Sequence, residues 1–304
     1  MLFGNNQLKS RLHFWKVESI GNDFPLIHLD DVREDYLPEI AQLLAERRRS
    51  VGGDGILAVR NLGQNRILLR MFNPDGSEDF CGNGLRCAAM HARALGWVSN
   101  SFTIDHKGEL VRVKFDGDFI LTEIDPASYD PVHIPAKFDQ GDGYHREILD
   151  SEQFGTWRGS ALTTGSTHVV MDWGFPGTEV FEIVSSKIEN HPQFPKRTSV
   201  IWREKLDQDK IRIRIWERGV GETLGCGTGS TAAAVETMRE RGYGGSIEVV
   251  NPGGSVLISA DSWNAPLLLK GRAECTFEGD FTLRAEFFNQ EFQFSSMCDS
   301  LSLN

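Results

Sequence analysis

Residues 67–95 read ILLRMFNPDGSEDFCGNGLRCAAMHARAL, and residues 211–240 read IRIRIWERGVGETLGCGTGSTAAAVETMRE. A shift of 145 residues superposes the two stretches without a gap, placing Cys81 on Cys226, Gly82 on Gly227, Gly84 on Gly229, and Ala88 and Ala89 on Ala233 and Ala234. Each copy passes from an alternating run through a turn-rich loop to a glycine-flanked cysteine. An Ala-rich segment with few breakers then follows, which reads as strand, loop and helix. A fainter echo supports the duplication: Gly21-Asn22-Asp23-Phe24 lies 60 residues ahead of Cys81, and Gly165-Ser166-Thr167-His168 lies 61 ahead of Cys226. Two related halves are expected, residues 1–128 with 278–304 and residues 129–277, joined at the Pro- and Asp-rich stretch 125–135.

Outward from these segments, short runs bounded by turn residues recur at 24–29, 55–59, 66–72, 110–115, 119–124, 168–171, 210–216, 246–250, 255–259, 273–277 and 281–287. Helical patterns appear only at 38–48, 83–95 and 228–241. Many strands with few helices indicate an α+β fold. The 304 residues fit about two domains of roughly 100–200 residues. An apolar content of 40%, with 19 Phe and 7 Trp, is ample for packed cores and excludes a disordered chain. With 43 acidic against 32 basic side chains the net charge is −11, which excludes a general polyanion-binding role; neither nucleic acid nor membrane is an expected partner. No apolar run approaches the ~20 residues that cross a bilayer. The start MLFGNNQLKSRLHFWKV lacks a compact apolar block, so the cytoplasm is the expected location.

The five cysteines are too few and too scattered for a disulfide framework, and no CxxC pair offers a common zinc or redox motif. Cys87, Cys275 and Cys298 lack Gly-rich surroundings and read as packing thiols. Cys81 and Cys226 stand at helix starts, where free N–H groups and the positive end of the helix dipole favour anions and lower a thiol's pKa. Flanking glycines let a ligand carboxylate approach those amides. Two such thiols facing each other across duplicated halves suit a reaction with mirror-image requirements. One thiolate would remove an α-proton while the opposite thiol supplies another, as in a racemase or epimerase that needs no cofactor.

NPDGSEDFCGNGLRC at 73–87 and ERGVGETLGCGTGSTAA at 217–233 resemble the two signature segments of the diaminopimelate epimerase family. The likeness extends to FWKVESIGNDF at 14–24, RSVGGDGILAV at 49–59 and the NPGG turn at 251–254. The resemblance implies two pseudo-symmetric halves, each a mostly antiparallel or mixed sheet wrapped around a central helix. It implies that Cys81 and Cys226 are the acid/base pair, that Glu217 and His168 order the site, and that Gly82, Asn83, Gly227 and Thr228 bind an α-carboxylate through their amides. Asn22, Asn73 and Arg218 would contact substrate. Arg218 is the basic residue beside a signature, and its planar fork suits a second carboxylate. Ser166 and Ser199 stand where the family carries binding Asn residues, which shortens two polar arms in the distal pocket. Two substrates therefore stay in view, diaminopimelate and a different amino acid. No cofactor and no metal is expected, the partner is a small amino acid, and self-association into a homodimer is left open.

Bland readings compete at several positions. Cys81 and Cys226 could be structural thiols, Arg218 could pair with Glu217 or Glu222, His168 could be a satisfied core histidine, and Asn22 and Asn73 could serve only their turns. The basic run 47–49 reads as the solvated end of a helix. Gly227-Thr228-Gly229-Ser230-Thr231-Ala232 fits a GxGxxA dinucleotide pattern with Glu248 about twenty residues on. A long loop separates those glycines from their strand, however, and Glu248 falls inside the next run. A catalytically retired homologue would keep the same fold.

Overall fold

A computed structural model describes residues 10–283 apart from Asp139 and Glu152, so Cys298 and the strand expected beyond residue 283 lie outside the described residues. The first half contains β1 (Ser10–Ser19), β2 (Asn22–His28), α1 (Leu37–Leu44), β3 (Ile56–Gly63), β4 (Arg66–Phe72), β5 (Glu78–Asp79), α2 (Gly82–Ala94), β6 (Ser101–His106), β7 (Glu109–Asp116) and β8 (Phe119–Ile124). Next come β9 (Arg146–Ser151), β10 (Gly155–Thr163), β11 (Thr167–Met171), α3 (Thr178–Glu189), β12 (Ser199–Asp207), β13 (Lys210–Glu217) and β14 (Gly221–Thr223). The chain continues through α4 (Gly227–Arg241), β15 (Gly245–Asn251), β16 (Gly254–Ala260), β17 (Leu267–Gly271) and β18 (Glu274–Leu283).

The ladder repeats. In the first half β1–β2 is antiparallel, β2–β3 parallel, β3–β4 antiparallel, β4–β6 parallel, and β6–β7–β8 antiparallel. In the second, β10–β11, β11–β12, β12–β13, β13–β15 and β15–β16–β17 follow the same sequence of senses. Antiparallel pairing of β8 with β17 joins the halves, β18 lies along β1, and β9 lies along β10.

Each half is covered on both faces, which explains why its middle strands read as continuous apolar runs instead of alternating. On β3, Leu57 and Val59 pack with Leu85, Ala88 and Ala89 of α2, while Ile56 and Ala58 pack with Ile40 and Leu44 of α1. On β12, Ile201 packs with Ala233 and Val235 of α4, while Val200 and Trp202 pack with Phe181 and Val184 of α3. Small alanines let α2 and α4 sit deep inside the curved sheet, and Gly242 in the left-handed conformation (φ 77°) ends α4.

The sequence pattern leaves out α3 and the strands β1, β5, β6, β9, β10, β12, β14 and β17. The helix expected over 38–48 ends at Leu44, and over the described residues the strands expected at 273–277 and 281–287 run on as the single β18, Glu274–Leu283. Among the described residues no helix is long and apolar enough to cross a membrane.

Candidate active site

Cys81 and Cys226 are the N-caps of the two central helices, with nearly identical extended backbones (φ −136°, ψ 109° and φ −133°, ψ 115°). Each sulfur accepts from the N–H three residues on, Gly84 N to Cys81 Sγ and Gly229 N to Cys226 Sγ, both at 3.3 Å. The thiols thus do what Ser or Asp usually does at this position. Their own N–H groups are also held. Cys81 N donates to His106 Nε2 at 3.1 Å, and Cys226 N donates to Asn251 Oδ1 at 3.4 Å. His106 and Asn251 close β6 and β15 and are themselves 145 residues apart. His106 Nδ1 lies 3.0 Å from the Leu69 carbonyl, which only accepts, so the proton sits on Nδ1 and Nε2 is free to receive the Cys81 N–H.

The two helix starts meet. Asn83 Nδ2 donates to the Gly225 carbonyl at 3.2 Å, and a Cβ on Gly227 would lie 3.3 Å from Asn83 Oδ1. The turn Ile20-Gly21 from the first half closes against Gly225 and Gly253, where a Cβ would stand 2.0 and 2.3 Å from the Ile20 carbonyl oxygen. Glycine is required at both places because one backbone presses directly on the other.

Burial outweighs the helix starts in setting the thiols. Burial pushes Cys81 up to about 11, although the Gly84 and Asn83 N–H groups pull it down. Burial and then the Glu217 carboxylate raise Cys226 further. The lowered thiol pKa expected from the sequence is therefore not found in the free site. Resting thiols are protonated at neutral pH, and thiolate formation needs a nearby base. Glu217 is the carboxylate that acts on Cys226: burial raises its own pKa, and it accepts from Thr223 Oγ1 at 2.6 Å.

His168 is fully buried on β11, with Nε2 at 2.9 Å from Ser166 Oγ, and Nδ1 has no hydrogen-bond partner. Burial, reinforced by the Arg218 charge, pushes its pKa down to about 3. Ser166 Oγ also reaches Thr228 Oγ1 at 3.3 Å, which in turn lies 3.4 Å from Cys226 Sγ, so Ser166, His168, Thr228 and Cys226 form one network. Ser199 pairs with His168 across the parallel strands, and its Oγ accepts from Arg218 N at 3.1 Å. Arg218 is exposed and donates to the Lys196 carbonyl at 3.1 Å, whereas Glu222 is taken by Arg214 at 2.6 Å. Asn22 Nδ2 donates to Asp54 Oδ2 at 3.1 Å, and Asn22 Oδ1 accepts from Asn83 Nδ2. Asn73 holds its own turn, bonding Ser77 Oγ at 3.1 Å. A Cβ on Gly82 would meet nothing within 4 Å, so space is open beside Cys81.

Several residues that build the site gave no sequence signal. Arg47, exposed just beyond α1 with the rest of the basic run, is also bonded to Asp23 at 2.7 Å and to Asp54 at 2.6 Å, and so steadies the carboxylate that orients Asn22. His106 belongs to the same group, and Asn251 and Arg86 stand in the resembling segments 251–254 and 73–87 without a role of their own. Glu248 lies in the middle of β15 and pairs with Lys210 of β13 at 3.0 Å on the exposed face, not at the strand end where the dinucleotide reading needs an acidic residue. Cys87 is buried in the first core and Cys275 is exposed.

The family profile described as diaminopimelate epimerase matches residues 14–129 and 161–275. Among curated proteins, the chain is 32% identical over 285 residues to the diaminopimelate epimerase of Moorella thermoacetica, covering 90% of this chain and all of that one. It is also 32% identical over 283 residues to that of Xylella fastidiosa, covering 91% and 98%. Among solved structures, a PhzF-family phenazine biosynthesis protein of Bacillus anthracis shares the fold at 15% identity, with a TM-score of 0.63 and coverage of 90% and 100%. A hydroxyproline epimerase from Agrobacterium vitis does so at 13% identity, with a TM-score of 0.62 and coverage of 90% and 92%. Matched in both halves and over the full length of its relatives, the chain belongs to the diaminopimelate epimerase family.

Proposed function

We propose that this protein epimerises diaminopimelate, interconverting the LL and meso forms by proton transfer between two cysteines without a cofactor. The observation that carries the reading is the pair of thiol N-caps, Cys81 and Cys226, on two helices whose first turns are in contact. Curated relatives of that name, matched over nearly their whole length, support it.

One thiolate takes the α-proton and becomes a thiol. The electron pair left on carbon spreads into the α-carboxylate, which the amides of Gly82, Asn83, Gly227 and Thr228 at the two helix starts stabilise. The opposite thiol delivers its proton to the other face and becomes a thiolate, so configuration inverts and no electrons leave the system. Glu217 takes the proton that readies Cys226, and His168, kept neutral by burial, holds the Ser166–Thr228 network beside it. Arg218 reads a second carboxylate with its planar fork, while Asn22 and Asn73 approach the substrate from the first half. Chemistry that depends on free thiols supports a reducing, cytoplasmic setting.

One observation favours a second reading, racemisation of a different amino acid. Ser166 and Ser199 both spend their hydroxyls inside the protein, on His168 and Thr228 and on the Arg218 N–H, so neither reaches out as a free distal contact. Loss of the α-proton signal in D₂O, followed by NMR for LL- and meso-diaminopimelate and a panel of single amino acids, decides between them. Exchange on diaminopimelate that disappears in Cys81→Ala and Cys226→Ala is the expected result. Exchange confined to another amino acid selects the second reading, and full activity in either Ala variant overturns the two-thiol chemistry.

A further inference from the structure

We infer that Arg86 is a positioning residue for both thiols, a buried permanent cation lodged between the two helix starts that supplies the counter-charge for the thiolate formed there. Its side chain is fully buried. It donates from Nε to Ser19 Oγ at 2.9 Å, from Nη1 to the Gly82 carbonyl at 3.2 Å, and from Nη2 to Asn83 Oδ1. All three acceptors are neutral. A fully buried guanidinium ordinarily sits against a carboxylate, because an uncompensated charge is costly to desolvate. The same chain shows the ordinary case in Arg203, also fully buried, which donates to Glu240.

The duplication shows that the helix start itself does not require this charge. At the position equivalent to Arg86, 145 residues on, stands Thr231, whose Oγ1 donates to the Gly227 carbonyl at 2.9 Å. Both residues therefore satisfy the carbonyl that follows the cysteine, one with a neutral hydroxyl and the other with a cation. What Arg86 adds is its charge, and its location tells where that charge acts. Nη1 touches the residue after Cys81 and lies 3.7 Å from where a Cβ on Gly227, the residue after Cys226, would stand.

The titratable groups that face the guanidinium are Cys81 and Cys87 on its own helix, Cys226 at the start of α4, and Glu18 on β1. Glu217 acts on both reactive thiols from β13. With the thiols protonated at rest, Glu18 is the anionic group among them, and its carboxylate accepts from Gly21 N at 3.0 Å and forms no ion pair with the guanidinium. A thiolate formed at either helix start supplies the close negative charge that Arg86 lacks. An opposite charge within about 4–6 Å favours an ionised acid by about 1–3 pH units.

The inference rests on the two-thiol reading, and thiol titration tests it without turnover. Rates of iodoacetamide alkylation at Cys81 and Cys226, followed by peptide mass spectrometry across pH, are compared in wild type, Arg86→Thr, Arg86→Met and Arg86→Lys, alongside kcat and KM. Thr, taken from the second copy, and Met should raise both alkylation midpoints by about one pH unit or more. Both should lower kcat on the order of a hundredfold with KM changed far less. Lys, which keeps the charge and loses the fork, should leave both midpoints at the wild-type value. Folded Thr or Met variants with unshifted midpoints would overturn the assignment. If those variants fail to fold, a Lys variant whose midpoints rise by about one unit overturns it equally. A defect in the underlying reading shows separately, as turnover that survives Cys81→Ala or Cys226→Ala.

Discussion

A methyl group on Gly84 would stand 2.8 Å from Leu57 Cδ2, and one on Gly229 would stand 2.7 Å from Ile201 Cδ1. These glycines let the helix starts press on the middle strands so that the cysteine sulfurs reach the N–H groups at 84 and 229. Gly84→Ala and Gly229→Ala should each cost about 1–3 kcal/mol of stability by overpacking, read as a lower urea midpoint, whereas Gly82→Ala meets no such contact. At this scale the sequence was legible where the duplication repeats a residue type, as at the cysteines and their glycines. It was silent where equivalent positions solve one problem with different chemistry. His106 and Asn251 both hold a cysteine N–H, and Arg86 and Thr231 both hold a glycine carbonyl, so no motif connects either pair. The ion pairs of Arg47 are hidden for a related reason: its partners Asp23 and Asp54 meet it only through the fold.

Helix α3 shows what an element loses when read alone. TEVFEIVSSKIE mixes β-branched residues and serines, which weakens its helical propensity. Yet Phe181, Val184 and Ile188 recur at i, i+3 and i+7 and are fully buried. The duplication itself also asks for a helix there, because α1 fills the matching interval between β2 and β3. Phe181→Ala should cost about 3–5 kcal/mol in urea unfolding, since the ring anchors α3 to Trp202 and Trp216. Strand β18 failed in the opposite way. Its polar centre Glu278-Gly279-Asp280 breaks the apolar pattern, but the ladder with β1 runs through it from Glu274 to Leu283.

Taken whole, the molecule buries several histidines in the neutral form. Burial pushes His168 down to about 3 and His91 to about 4, and it lowers His106 as well. The unfolded chain, with histidines near 6.5, binds more protons than the folded one below that value. Stability from these groups is complete above pH about 6.5 and is lost as pH falls toward 3–4. Glu217 and Glu236, raised by burial, act with the opposite sign: what they contribute is present at low pH and lost as pH rises through their folded values. Urea midpoints at pH 7 and pH 4.5 should therefore differ more in wild type than in His91→Leu, and equal differences would show that His91 carries none of the acid sensitivity.

The outermost strands of the two sheets come from unexpected places. Counted as nine strands each, the repeats are β1–β9 and β10–β18, and the ninth strand of each lies against the first strand of the other. The chain therefore has the connectivity of a strand-exchanged dimer fused end to end. Neither repeat can cover its own first strand, so each acts as the other's template, and separating them would bare β1 and β10 as well as the β8–β17 seam.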